Sequence, residues 1–285
     1  MSSARAPAQA EISHRRVLKI ALPIVLSNAT VPILGAVDVG VVGQMGEAAP
    51  IGAVGLGAII LTTIYWIFGF LRMGTVGLVG QAEGAGDKAE VSAWLTRALV
   101  VALAGGFMLI VLQPLIFWAA LQLAPASDEV ESLARQYLTI RIWTAPAAIA
   151  VYALTGWLVA MEKTAGVFWV QLTMNGVNIL LDLLFVLVFD WGVPGVAIAT
   201  VIAEITGAAL GLWFCRDAFA RRDWRDWPRI FNRAKLVRMA LLNTDILLRS
   251  AMLMIIFSSF VFLGARFGDV TLAANEVLIQ FMYIT

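Results

Sequence analysis

Apolar and polar residues follow one another along this chain in long blocks, not with the short period of a soluble helix or strand. Seven apolar stretches, each longer than 20 residues, are separated by segments containing Gly, Pro or charged residues. A helix needs about 20 apolar residues to cross a hydrocarbon layer of about 30 Å. The pattern therefore predicts seven membrane spans, at residues 17–43, 51–82, 90–122, 130–161, 165–189, 193–216 and 236–264.

A further apolar run at residues 270–285 would rise only about 24 Å as a helix, which predicts an incomplete eighth span. An internal repeat accompanies these spans. The run LKIALPIVLSN from Leu18 resembles VRMALLNTDIL from Val237, and MGEAAPIGAV from Met45 resembles FGDVTLAANE from Phe267. Chance similarity between apolar helices is the alternative. The repeat predicts an all-α, polytopic membrane bundle with one six-helix lobe, the first helix of a second lobe and part of its second helix.

Four segments follow from this pattern. They are a polar amino terminus (1–16), a six-helix lobe (17–216), a linker between lobes (217–235) and the start of a second lobe (236–285). Counted by loop and span end, 16 Lys and Arg residues, among them Arg72 and Arg97, fall on one side and 2 on the other. Positive residues stay in the cytoplasm, which predicts a cytoplasmic amino terminus. The linker interleaves Arg with Trp and Phe, which suits the surface of an anionic leaflet.

Composition narrows the possible chemistry. Hydrophobic residues make up 61% of the 285 positions and charged residues 14%, against about 25% in soluble domains. A net charge of +1 provides no field for nucleic acid. A single Cys and a single His exclude an intrachain disulfide and a His or Cys metal cluster. We expect no cofactor, no resident metal other than a coupling ion and no enzymatic activity.

Charged residues inside predicted spans indicate the functional site, because burying them in lipid is costly. Asp38 and Asp182 are the main ones, and both fall in the outer half of the bilayer with Asn178 and Thr200. Asn175, Asn178 and Asp182 share one face of their helix, because they lie three or four residues apart. Glu204, four residues after Thr200, is a further candidate for the polar cavity.

Carboxylates, an amide and a hydroxyl that meet in an apolar environment would hold either a proton or a small hard cation such as sodium. The alternative is that each aspartate only bonds a neighbouring helix. Pro23 and Pro32 interrupt the first span and predict either a static kink or a bend that depends on ion occupancy at Asp38. Between Gly74 and Asp87, a glycine-rich run lacks the residues of a phosphate loop, and we interpret Gly80 and Gly84 as sites of close helix packing.

Together these residues resemble the multidrug and toxin extrusion (MATE) transporters, in particular their DinF-like branch. The informative parts are ALPIVLSN, AVDVGVVGQMG, NILLD and GVAIAT, together with NTDILLRS, which departs from the branch by having Thr244 in place of arginine. The resemblance implies twelve helices in two six-helix lobes, of which this chain would contain the first and the beginning of the second. It also implies export of organic cations or other amphiphiles from a bacterial cytoplasmic membrane in exchange for protons or sodium, by a full-length monomer.

In such transporters, the residues corresponding to Asp38, Asn178, Asp182 and Thr200 form the cation site, and the residue corresponding to Pro23 is where helix 1 bends. A second transporter interpretation is a lipid-linked precursor flippase of the same superfamily, and a further alternative is a non-transporting fragment. A flippase would line its cavity with several arginines. An intramembrane aspartyl protease, which also uses two aspartates, is disfavoured because neither AVDVG nor LLDLL fits its motifs.

Overall fold

The computed structural model describes residues 14, 18, 21–26, 37, 40–44, 46–124, 126–220 and 222–265. In this part of the chain the regular structure is helical and contains no strand. Residues 21–26 and 40–43, which belong to the predicted first span, are helical. The expectation of an all-α fold is confirmed.

Between residues 46 and 265, the described part of the chain forms ten α-helices, with short 3-10 or π segments between some of them. They are α1 (Ala48–Trp66), α2 (Phe70–Gly84), α3 (Lys88–Leu123), α4 (Asp128–Arg141), α5 (Ala145–Ala160), α6 (Thr164–Asp182), α7 (Gly192–Phe214), α8 (Arg216–Phe219), α9 (Trp227–Ile230) and α10 (Arg233–Ala265). The 3-10 segments are Ile67–Gly69, Ile142–Thr144 and Arg222–Arg225, and the π segment is Leu183–Val188.

Five continuous stretches within these helices are long and apolar enough to cross a membrane. They are Ala48–Gly84, Lys88–Leu123, Asp128–Ala160, Thr164–Val188 and Gly192–Phe214. Their ends lie within three residues of the predicted second to sixth spans, which confirms those spans. α10 covers the predicted seventh span, and the predicted eighth lies outside the described residues.

Turn chemistry explains where the helices begin. Asp87 caps α3 by accepting a hydrogen bond from the Glu90 backbone N–H at 3.0 Å, directly after Gly86, whose φ is +74°. Ser127 caps α4 by accepting from the Val130 N–H at 3.4 Å. Pro146, in the first turn of α5, follows the 3-10 segment, so the span is continuous but changes helix type at its centre.

Helix α7 packs against α4, α5 and α6, while Ile205 and Trp213 on its other side are 52% and 54% exposed. Close approach of the helices depends on particular glycines. A Cβ on Gly106 would lie 2.4 Å from Pro146 Cα, and one on Gly156 would lie 2.6 Å from the Arg72 carbonyl oxygen. Gly80 and Gly84 have no such neighbour within 4 Å among the described residues, so the described structure does not support their interpretation as sites of close packing.

The linker between the predicted lobes docks on the amino-terminal part of α3. Arg97, only 1% exposed, donates from Nε to the Ile230 carbonyl at 2.8 Å and from Nη2 to the Arg229 carbonyl at 2.5 Å. Its Nη1 donates to Glu90 Oε1 at 2.7 Å. We call these four residues the linker anchor. Arg97 is thus a helical, buried residue and not a loop residue, and Arg72 likewise lies within α2.

Contact with the anionic leaflet stays a prediction for the linker. Trp227 and Phe231 stack with their ring centroids 5.9 Å apart and are more than half exposed. The chain divides into two compact units, Met1–Leu236 and Val237–Thr285. The first contains α1 to α9 together with every side chain of the candidate site described below.

Candidate ion site

Polar side chains form a stripe along α6, although this helix is otherwise apolar. Asn175, Asn178 and Asp182 are 3%, 1% and 0% exposed, respectively. On other faces of the same helix, Trp169 and Leu180 are 52% and 68% exposed. The polar face of α6 is therefore turned into the protein and its apolar residues face outward, as a membrane-spanning helix requires.

Asn178 connects α6 to α7. Its Nδ2 donates a hydrogen bond to Thr200 Oγ1 at 3.2 Å, and the Thr200 hydroxyl donates to the Val196 carbonyl of its own helix at 2.9 Å. Asn178 Oδ1 is buried and has no hydrogen-bond partner among the described residues. Because a buried polar atom normally has a partner, this oxygen marks a place where a ligand could be coordinated.

The Asp182 carboxylate lies one helical turn beyond Asn178 on the same face. Asp182 is the last residue of α6, and the π segment Leu183–Val188 follows at once, with the Phe189 N–H donating to the Leu184 carbonyl at 3.0 Å. Single π turns inside helices are frequent at functional sites. The helix therefore changes from the α to the π hydrogen-bond pattern directly after Asp182, the carboxylate of the stripe.

Asn175 extends the stripe in the other direction. Its Oδ1 accepts a hydrogen bond from Gln171 Nε2 at 3.0 Å, one turn earlier in α6. The spacing argument from the sequence thus places all three α6 residues on one buried face. It did not indicate the π segment, which has no marker such as Pro or Gly within it.

Glu204 has a different environment from Thr200, although both belong to α7. Glu204 Oε1 accepts from Arg141 Nη2 at 2.9 Å, and Oε2 accepts from Thr144 Oγ1 at 2.5 Å. The side chains of Arg141 and Glu204 are 9% and 14% exposed. We call Arg141, Thr144 and Glu204 the buried ion pair. The sequence analysis missed this pairing, whose partners are 63 residues apart.

Asp38 lies outside the described residues, so nothing follows here about its position relative to Asp182. Pro23 is described, within the helical residues 21–26, and is half-buried. Across the described part of the chain, no group of three or more His, Cys, Asp or Glu side chains could hold a metal ion. The oxygens of Asp182, Asn178 and Thr200 are nevertheless hard ligands of the kind that suit sodium, and the carboxylate can also accept a proton.

This architecture defines a polytopic membrane protein that carries buried polar groups in the interior of its helical lobe. The MatE family model matches residues 23–184, which is more than half of the chain. The chain belongs to the MatE family.

Similar proteins agree with this assignment. The chain is 34% identical to DNA damage-inducible protein F of Escherichia coli K12 over 96% of its own length and 60% of that protein. It is 27% identical to a probable multidrug resistance protein NorM of Rhizobium meliloti, over 95% and 59% of the two lengths. The chain therefore spans about three fifths of the length of these relatives.

Solved structures show the same fold. The Vibrio cholerae MATE transporter VcmN in its bent form superposes with a TM-score of 0.81 at 22% identity, covering 94% of this chain and 60% of that one. A MOP superfamily transporter from Pyrococcus furiosus gives a TM-score of 0.75 at 18% identity, covering 95% and 60%. The expectation of one lobe and the start of another agrees with this coverage.

Proposed function

We propose that the full-length protein is a secondary active multidrug efflux transporter. It exchanges protons or sodium for organic cations or other amphiphilic compounds by alternating access, as a monomer in a bacterial cytoplasmic membrane with its amino terminus in the cytoplasm. Its partners are the lipid bilayer and its small-molecule substrates. It carries out transport and not an enzymatic reaction.

The single observation that carries this proposal is the fully buried Asp182 carboxylate, one turn from the hydrogen bond between Asn178 and Thr200. Burying a carboxylate inside a membrane costs free energy whatever its role. Carboxylates that are found there usually belong to proton or ion pathways. Asp38, Asn178, Asp182 and Thr200 form the cation site in our proposal. Asn175 extends the polar cavity.

Coupling in this proposal depends on the first span. Ion binding at Asp38 favours one of two shapes of the helix that carries Pro23, and substrate favours the other. A proline inside a helix removes one backbone hydrogen bond and so provides a place where the helix can bend. Because the ion and the substrate favour different shapes of this helix, binding of one lowers the affinity for the other without direct contact between them.

The test uses the full-length protein in proteoliposomes loaded with ethidium, with either a sodium or a proton gradient imposed. We expect ion-driven ethidium transport by the wild type and its loss in Asp182→Asn and in Asp38→Asn. Asp190→Asn is the matched control, because Asp190 is exposed in the turn just after the π segment and its φ of +55° suits Asn.

Undiminished transport by Asp182→Asn at a normal level of folded protein would overturn the proposed site. Absence of ion-driven transport by the wild type under both gradients would favour the flippase alternative, which would then be tested with a fluorescent lipid. The same assay on the 285-residue chain tests the remaining alternative, that this segment does not transport by itself.

A further inference from the structure

The linker lies against the amino-terminal part of α3, where the surroundings of that helix change. Every residue from Glu90 to Ala98 is buried, although this segment contains two charged side chains. Further along the same helix, the apolar residues Leu103, Phe107 and Val111 are exposed, as expected of side chains that face lipid. The linker therefore covers the part of α3 that precedes the lipid-facing part.

Further contacts hold the linker across this end of the lobe. Arg229 Nη1 lies 3.7 Å from Asp87 Oδ1 in the turn before α3. Lys163 Nζ, in the turn before α6, donates to Asp217 Oδ2 at the start of the linker. Both turns connect membrane-spanning stretches, so the linker runs along the surface where these stretches end.

An exposed tryptophan at the end of α7 indicates the same level. Trp213 is the penultimate residue of that helix and is 54% exposed, and the Arg216 guanidinium lies 4.4 Å from the centroid of its ring. Tryptophan at the end of a span favours the headgroup region, and a neighbouring arginine extends its charged end toward the headgroups. The linker starts directly after this pair and therefore lies at the headgroup level.

The outward face of the linker combines aromatic rings with cations. The stacked rings of Trp227 and Phe231 are more than half exposed outside the spans. Three arginines of the same segment are also exposed, and none of them forms a salt bridge with another described residue; they are Arg222, Arg225 and Arg233. We call these five residues the linker surface.

The linker carries more positive charge than its own aspartates neutralise. Between residues 216 and 235 there are six arginines and one lysine against three aspartates. Asp217 pairs with Lys163 outside the linker, and Asp226 caps α9 and contacts Arg229. A positive surface at the headgroup level attracts anionic lipids, and each basic residue there strengthens binding about fivefold.

We propose that the linker surface binds an anionic lipid leaflet, with its two aromatic rings inserted among the headgroups and its three arginines on lipid phosphates. Arg97 and Glu90 of the linker anchor hold the other side of the same segment against α3. One short segment thus connects the lobe to the leaflet. This inference goes beyond the proposed transport and does not depend on it.

The experiment identifies what lies against the linker surface in the full-length protein. Phe231 is replaced by the photoreactive aromatic residue p-benzoylphenylalanine, and the protein is placed in vesicles of equal amounts of phosphatidylcholine and phosphatidylglycerol. Illumination links the probe to its nearest neighbours, which mass spectrometry identifies. We expect lipid adducts in which phosphatidylglycerol exceeds phosphatidylcholine, with an excess that decreases at high salt.

Two kinds of variant separate charge from insertion. Replacing all three arginines of the linker surface by Gln should lower the ratio of phosphatidylglycerol to phosphatidylcholine adducts at least about fivefold, the effect of one basic residue. Each single replacement should lower it less, so the test does not depend on the triple variant. Trp227→Ser should reduce the yield of both adducts and leave their ratio unchanged.

Arg135→Gln is the matched control, because Arg135 is an exposed arginine of α4 outside the linker. We expect this change to leave both the yield and the ratio unchanged. Equal labelling of the two lipids in the wild type, or a ratio that Arg135→Gln lowers as much as the triple variant, would overturn the inference. The same probe in native membranes would also overturn it if the main adduct were a protein.

Discussion

The linker anchor and the candidate ion site are both buried and polar, yet their hydrogen bonding differs. In the linker anchor, each guanidinium nitrogen of Arg97 donates to a defined oxygen, on Ile230, Arg229 or Glu90. The same guanidinium lies 4.3 Å from the centroid of the Trp94 ring. In the ion site, Asn178 Oδ1 is buried without a hydrogen-bond partner in the described part of the chain.

We interpret this difference as one between a structural polar cluster and a candidate functional one. A fully satisfied network stabilises one arrangement, and removing a member leaves several buried groups unpaired. A buried oxygen without a partner costs stability in the ligand-free protein and is compensated when a ligand binds. We therefore expect changes in the linker anchor to alter mainly folding, and changes in the ion site to alter mainly ion dependence.

The largest expected effect on stability comes from Arg97→Met. This change leaves two backbone carbonyls without their donor and leaves Glu90 with only its longer contacts to Arg229 and Lys235, at 3.7 and 3.6 Å, which should cost about 2–5 kcal/mol. Denaturant unfolding of the purified protein measures the loss. Arg222→Met is the matched control, since Arg222 is exposed in the same linker and should change stability by less than about 0.5 kcal/mol. Equal stability of the two variants would show that the linker is not anchored through Arg97.

The next largest effect on stability is expected at the contact between α3, which carries Arg97 of the linker anchor, and α5. Gly106 of α3 lies against Pro146, just after the 3-10 segment that carries Thr144. Gly106→Ala places a methyl group 2.4 Å from backbone and should cost at least about 1–3 kcal/mol. Gly80→Ala is the control, because the described structure leaves open space around Gly80 and alanine favours a helix. Thermal unfolding that is equally affected by both changes would contradict the packing.

Much of the fold follows from sequence because membrane spans need long apolar runs. The five described spans and the shared face of Asn175, Asn178 and Asp182 depend only on helix length and period. Contacts between distant parts of the chain cannot be predicted in this way, since no spacing rule joins Arg141 to Glu204 or Arg97 to the carbonyl of Ile230. Small residues likewise mark possible close contacts without showing which face meets a neighbour, which is why Gly80 and not Gly106 was singled out.

A smaller stability effect is expected within the ion site. Asn178→Ala and Thr200→Val each remove the hydrogen bond between α6 and α7, which should cost about 1 kcal/mol or less. A double-mutant cycle on unfolding measures the coupling directly, with an expected value of about 0.6 kcal/mol. The half-saturating ion concentration should rise in both variants. A stability loss as large as that of Arg97→Met, with unchanged ion dependence, would remove the distinction between the two regions.

The smallest effect is expected at the surface pair between Lys163 and Asp217, outside the spans. Lys163 Nζ donates to Asp217 Oδ2 at 2.5 Å, and this hydrogen bond, with the charge of the lysine, lowers the pKa of the Asp217 carboxyl. Because the folded-state pKa is the lower one, the pair stabilises the protein above the ordinary Asp range near pH 4 and loses this contribution as pH falls through the folded pKa.

Solvent screening keeps the contribution of such an exposed pair below about 1 kcal/mol. Asp217→Asn should therefore lower the unfolding temperature slightly at pH 7, and the difference from the wild type should shrink as the pH is lowered below about 4. Asp190→Asn, a change of equal charge at an exposed position outside this pair, controls for net charge. A difference between wild type and Asp217→Asn that grows on acidification would contradict the assigned sign, since protonation of Asp217 can only remove its attraction to Lys163.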